Sequence, residues 1–133
     1  MAGIHETRVT LRVMGDDLDP DEITTLLCHP PTSSQRKGDI RGSGHVLSFG
    51  MWRLHVDDSI PGNLERQIDG LLSKLTPDIG RWRFLNARYR IDLFCGLFMR
   101  QGNEGLSLSP VLLARVAERG ISLGLDIYDP DGG

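Results

Sequence analysis

An α+β fold is what this sequence predicts: a mixed β-sheet with helices mainly on one face, in a ferredoxin-like arrangement with an extra helix and strand. Three observations carry that expectation. Leu18-Asp19-Pro20-Asp21-Glu22-Ile23 and Leu108-Ser109-Pro110-Val111-Leu112-Leu113 repeat one design, in which an apolar residue, a capping residue and a proline open an apolar helix. Each phrase follows an apolar run and a Gly-containing polar loop, so the chain reads as two related strand–helix units. Period-2 alternation then marks strands near both ends, and a 3.6-residue stripe marks a helix between them.

The elements run in order along the chain. Thr7 to Met14 is the first strand, because Val9, Leu11 and Val13 alternate with Arg8, Thr10 and Arg12. Gly15 ends it. A helix from Pro20 to Cys28 stops before His29-Pro30-Pro31. Residues 29–44 are Pro/Gly/Ser-rich and read either as one loop or as a hairpin with a short strand around Ser34 to Lys37. Val46 to Val56 reads as a long strand whose alternation shifts near Gly50, the sign of a bulge or bend.

Asn63 to Leu75 is a helix with Leu64, Ile68, Leu71, Leu72 and Leu75 on one stripe. Thr76 caps a second helix with Pro77 in its first position, and Trp82, Leu85 and Tyr89 supply its apolar side. Ile91 to Met99 is apolar on both faces and reads as a central strand. Gln101 to Gly105 is a loop. Pro110 to Arg119 is a helix closed by Gly120. Ile121, Leu123, Leu125 and Ile127 alternate with polar residues in a half-buried last strand, and 129–133 reads as a flexible tail.

Composition narrows the class. The 133 residues suit one domain, and 39% hydrophobic with 25% charged residues suits a globular chain. A net charge of −3 argues against nucleic-acid binding, which needs a basic footprint. The N-terminus shows no apolar signal region, and no apolar run is long enough to span a membrane. Cys28 and Cys95 sit beside apolar residues and read as buried, reduced thiols, so the expected setting is cytoplasmic.

No segment carries a specific catalytic signature. Asp17, Asp19 and Asp21 match the first ligands of a calcium loop, but Glu22 stands where glycine is needed and Cys28 where a bidentate Glu is needed. The same residues fit a helix start better: Asp19 as cap, Glu22 completing a capping box, Leu18 and Ile23 as the staple. Asp16 and Asp17 remain free of that role. Gly42-Ser43-Gly44 lacks the glycine and Lys-Ser/Thr that a phosphate loop needs. His29, His45, His55 and Cys28 have no ligand spacing, so neither metal nor cofactor is expected. No Gly-x-Ser-x-Gly elbow occurs. Lys37-Gly38-Asp39 is a polar turn of the kind that carries binding residues.

Leu11-Arg12, Gly15-Asp16-Asp17-Leu18-Asp19-Pro20, Pro31-Thr32, Lys37-Gly38-Asp39, Trp52 and Leu54 form a pattern that continues through Leu93-Phe94-Cys95-Gly96, Leu106-Ser107-Leu108-Ser109-Pro110 and Leu125-Asp126-Ile127-Tyr128. In these residues the chain resembles the bacterial family called domain of unknown function 4279, over nearly its whole length. The resemblance implies one complete domain, residues 1–133. It implies no activity, and no catalytic residue carries over from it.

Three function classes fit. The first is a non-catalytic interaction protein, of which an immunity protein against a bacterial toxin is one form. Its surface is the outward sheet face, where Arg8, Thr10 and Arg12 share a side with Asp92, Phe94, Gly96 and Phe98 and with Ser122, Gly124, Asp126 and Tyr128. Adjacent aromatics and arginines on such a face suit a protein partner or a second copy. The second class is a small-molecule-binding domain or small enzyme built from Asp16, Asp17, Lys37 and Asp39, with Trp52 as an apolar wall. The third is a structural homo-oligomer whose sheet face pairs with itself.

Overall fold

Alternation in the first long strand sorts the molecule into two sides. Thr7, Val9, Leu11 and Val13 are buried, whereas Glu6, Arg8, Thr10 and Arg12 are not. The computed structural model describes residues 2–57 and 60–130. Its elements are β1 (Ala2–Gly3), β2 (Glu6–Gly15), α1 (Pro20–Leu27), β3 (Ser33–Gln35), β4 (Ile40–Arg41), β5 (His45–Val46), β6 (Gly50–His55), α2 (Leu64–Ser73), α3 (Ile79–Arg88), β7 (Arg90–Phe98), β8 (Glu104–Gly105), α4 (Pro110–Glu118) and β9 (Ser122–Tyr128).

The main sheet has the order β3-β6-β2-β7-β9. Its pairs are antiparallel except β7 with β9, which is parallel. β1–β8 and β4–β5 form separate two-stranded pairs. The α+β class, the mixed sheet and the one-sided helix layer are as the sequence predicts. The finer ferredoxin-like path is modified, because only the second strand–helix unit makes a parallel crossover. After α1 the chain runs through β3 and the β4–β5 hairpin and returns in β6 antiparallel to β2.

All four helices pack on the Thr7–Val13 side. Ile23 and Leu27 of α1, Ile68, Leu71 and Leu72 of α2, Trp82 and Leu85 of α3, and Leu112 and Val116 of α4 join Val9, Leu11, Trp52, Leu54, Leu93 and Cys95 in one core. Buried aliphatic and indole groups of this size contribute on the order of 2 kcal/mol each. One buried polar contact pins α2 to β2. Thr7 Oγ1 donates to Gln67 Oε1, and Gln67 Nε2 donates 2.8 Å to the Thr7 carbonyl.

Several expectations are corrected. Asp19 does cap α1, accepting from the Asp21 amide at 3.0 Å, but Glu22 closes no capping box. Its carboxylate accepts from Arg88 Nη1 at 2.9 Å and from the Tyr89 hydroxyl at 3.2 Å, because the last residue of α3 and the residue that caps it present two donors. The second cap of that region is Asp78 and not Thr76, and α3 starts at Ile79. Thr76 is buried in the turn before that start: its hydroxyl accepts from the Asp78 amide at 3.2 Å, its carbonyl accepts from Trp82 Nε1 and its amide donates to Leu27 O.

The expected strand over Val46–Val56 is broken. Leu47 exchanges backbone bonds with Gly38 and Asp39 in the hairpin, and the sheet strand restarts at Gly50. Gly50 fits closely there: a Cβ would stand 3.0 Å from both Leu18 Cβ and Leu18 O, tighter than ordinary contact. Residues 29–44 therefore contain both a short sheet strand, β3, and a hairpin arm. Cys28 is exposed, not buried, since it closes α1 at φ 64° and its thiol turns to Arg81, 3.3 Å away. Gln101–Gly105 ends in β8, pairing with β1. In β9, Leu125 and Ile127 lie more open than a half-buried strand implies. Of the expected tail, residues 131–133 lie outside the described residues.

Candidate functional site

The sheet face opposite the helices is the largest continuous surface on which the sequence-derived residues meet. Strand register lays it out in rungs. One rung reads Ser33, Arg53, Arg12, Asp92 and Ser122 across all five strands. The next reads His55, Thr10, Phe94 and Gly124. Beyond it lie Arg8, Gly96 and Asp126, then Glu6, Phe98 and Tyr128. Among the described residues no helix covers these rungs.

Arg12 and Asp92 form the centre. Arg12 Nε and Nη2 donate to the two carboxylate oxygens of Asp92 at 2.8 and 2.6 Å, a bidentate fork. The Asp92 bond raises the Arg12 pKa, against an opposing effect of burial. The same guanidinium lies over Phe94, 4.7 Å from the ring centroid. Phe94 is 37% exposed, high for a residue in the interior of a sheet. Arg8 repeats the motif: it pairs with Glu6 at 2.5 Å and lies 5.1 Å over Phe98. Phe98 stacks on Tyr128 with centroids 4.6 Å apart and planes 5° from parallel. The Tyr128 hydroxyl donates to Asp126 at 2.5 Å, and that bond raises its pKa.

Arg53, His55, Arg90 and Gln35 belong to the same side and were missed by the sequence reading. The signal for the first two was present as alternation, Met51-Arg53-His55 against Trp52-Leu54, but the irregularity at Gly50 obscured which set faced out. Arg53 stands opposite Arg12, a like-charge cross-strand pair that ordinarily destabilises. Among the described residues its guanidinium bonds only to neutral acceptors, Gln35 Oε1 at 3.1 Å and Ser33 Oγ at 3.5 Å. Burial, and then the charges of Arg41 and Arg12, hold its pKa below the ordinary arginine value.

The loop residues do not assemble into one site. Asp16 borders an open groove of about 470 Å³ with Met14, Gly15, Ser48, Phe49 and Arg90. Asp17 faces a second depression, which Asp16 also borders, with Arg88 and Tyr89. Lys37 is exposed on the turn before the hairpin. The Asp39 carboxylate accepts from the Arg36 amide at 2.8 Å, a local turn contact. Trp52 is fully buried on the helix side, its indole N–H donating to Thr24 Oγ1 at 3.1 Å, so it forms no wall for any of these residues. Among the described residues no three His, Cys, Asp or Glu side chains gather as a metal site, and no helix is long and apolar enough to cross a membrane.

Comparison with known proteins adds a family and nothing more specific. No curated protein and no solved structure matches the chain. The model of the family described as Domain of unknown function (DUF4279) matches residues 5–130, which takes in every strand and helix of the main sheet and its helix layer. On that coverage, this chain belongs to the family of domain of unknown function DUF4279.

Proposed function

We propose that this chain is a non-catalytic interaction protein that binds another protein across the open face of its sheet. The observation that carries the reading is the Arg12–Asp92 fork stacked on Phe94, continued by Arg8, Phe98 and Tyr128 on an uncovered sheet. Side chains fixed in this way lose little rotamer freedom on docking, which lowers the entropic cost of association. Aromatic and arginine side chains are also those that dominate interface energetics. Among the described residues no carboxylate pairs with Arg53 or Arg90, so the face suits a partner that brings acidic groups.

An immunity protein that neutralises a toxin is the concrete form of this reading, set in a bacterial cytoplasm. Both cysteines are free thiols, which suits a reducing compartment. The test is co-expression with the product of the adjacent open reading frame. The wild type is expected to co-purify with it, and Arg12→Ala and Phe94→Ala to lose it while keeping their melting temperature within a few degrees. A complex that survives both substitutions overturns the reading, as does a neighbouring product that never associates with the wild type.

A second reading, a small-molecule site, rests on the groove between Asp16, Phe49 and Arg90. It expects binding of a small ligand to be lost in Arg90→Ala and Asp16→Asn, with the protein complex intact.

A further inference from the structure

We propose that two copies of this chain associate through the free edge of β9, pairing antiparallel about a two-fold axis at Leu125 and joining their sheets into one. This is independent of the open-face reading, because the contact uses a strand edge and the helix-side residues beside it.

The two edges of the sheet differ. β3 is three residues long and follows Pro30-Pro31, which cannot donate to an added strand. β9 is seven residues long, and within it no proline or bulge interrupts the ladder with β7. Its carbonyl at Tyr128 accepts from the Met99 amide, so Tyr128 turns its backbone polar groups toward β7. Bonding residues alternate along a strand in a parallel ladder. Leu123, Leu125 and Ile127 therefore direct both N–H and C=O to the free edge, where a second strand completes them.

The sequence of β9 is complementary to itself about Leu125. With Leu125 opposite Leu125 of the second copy, Leu123 stands opposite Ile127 of the second copy, and each such pair exchanges both its backbone bonds. On the open face, Asp126 then stands opposite Gly124 of the second copy. Shifting the axis to Asp126 sets two carboxylates against each other, which is destabilising. On the helix side the same three positions are apolar, with Leu125 48% and Ile127 58% exposed. α4 packs on β9, and its Leu113, 46% exposed, lies about 100° round the helix from buried Leu112, away from Arg115, whose contact with Asp69 marks the α2 side. An isologous contact through β9, with the short β3 edge of the main sheet guarded by Pro30-Pro31, closes as a dimer and does not propagate into a fibre.

The test is sedimentation velocity of the full chain over a concentration series, with amide hydrogen exchange on the same samples. The wild type is expected to sediment as a dimer with protected amides at Leu123, Leu125 and Ile127. Leu125→Lys places two ammonium groups at the axis and is expected to weaken the dimer at least tenfold and expose those amides, with the melting temperature kept. Val111→Lys, at an apolar position 73% exposed on the α2 side of α4, is expected to leave the dimer intact. A wild type that stays monomeric throughout overturns the proposal. So does a dimer that survives Leu125→Lys, or one that is broken by Phe94→Ala and not by Leu125→Lys, which would place the contact on the open face.

Discussion

The two cysteines show how one residue type takes opposite chemistry from its backbone. Cys28 stands at a positive φ, which swings its thiol out of the helix and against Arg81. Cys95 is fully buried in the middle of β7, and burial, then the Asp92 charge, pushes its pKa to about 12. A thiol that stays protonated and enclosed is inert, and an exposed one is not. Alkylation of the native protein is expected to add one label, on Cys28, and alkylation after denaturation to add two. Peptide mapping checks the site, and a native label on Cys95 would contradict the burial. Cys95 also sets a pH dependence. Its folded pKa lies above its unfolded one, so the folded form keeps its proton longer. The stability it contributes is present below about pH 9 and is lost progressively as pH rises toward 12. Urea titrations are expected to show the wild type losing stability more steeply than Cys95→Ala in that window, by up to about 1.4 kcal/mol per pH unit. Equal slopes would mean that the thiol does not titrate differently in the two states.

At the scale of elements, the two Pro-led helices behave alike at their starts and differ beyond the first turn. Asp19 and Ser109 each accept a backbone amide ahead of a first-turn proline. Asp19→Ala is expected to cost about 1 kcal/mol in chemical denaturation, because the Asp21 amide loses its acceptor and Arg36 loses a partner at 2.8 Å. A change below a few tenths would show that solvent replaces the cap. The helix starts were legible because a cap and a proline are local signals. Glu22 was assigned to the cap on local spacing as well, but its actual partners, Arg88 and Tyr89, lie more than sixty residues away and no spacing rule reaches them. The same limit explains Thr76, whose burial against Trp82 and Leu27 depends on where α1 and α3 pack. The break at 47–49 goes with Leu47 pairing to Gly38 and Asp39 in the hairpin, again a contact made only after folding.

For the whole molecule, the alternating residues of β2, β7 and β9 were enough to separate the covered face from the open one, and the arginine–aromatic surface follows from that parity. What parity could not supply was the strand order. It could not bring Arg53 beside Arg12, nor reveal that the helix layer stops short of Leu125 and Ile127. Lys37 and Asp39 are exposed on the turn that leads into the hairpin, where the Asp39 carboxylate is occupied by the Arg36 amide. Lys37→Ala is accordingly expected to be silent, within about 0.5 kcal/mol by thermal melt, and a larger loss would mean an anchoring contact for the ammonium group.

The central position of β2 has a kinetic consequence. Its two neighbours are β6 and β7, reached through contacts such as Thr10 with His55 and Arg12 with Asp92, 45 and 80 residues apart along the chain. The middle of the sheet is therefore synthesised first and completed late. On the ribosome β2 has to wait for most of the polypeptide before its second partner emerges, and refolding has to close those long loops before their pairing is rewarded. Folding in the millisecond-to-second range follows from this topology, slower than helical domains of the same length, with the alternating apolar face of β2 exposed to other chains in the interval.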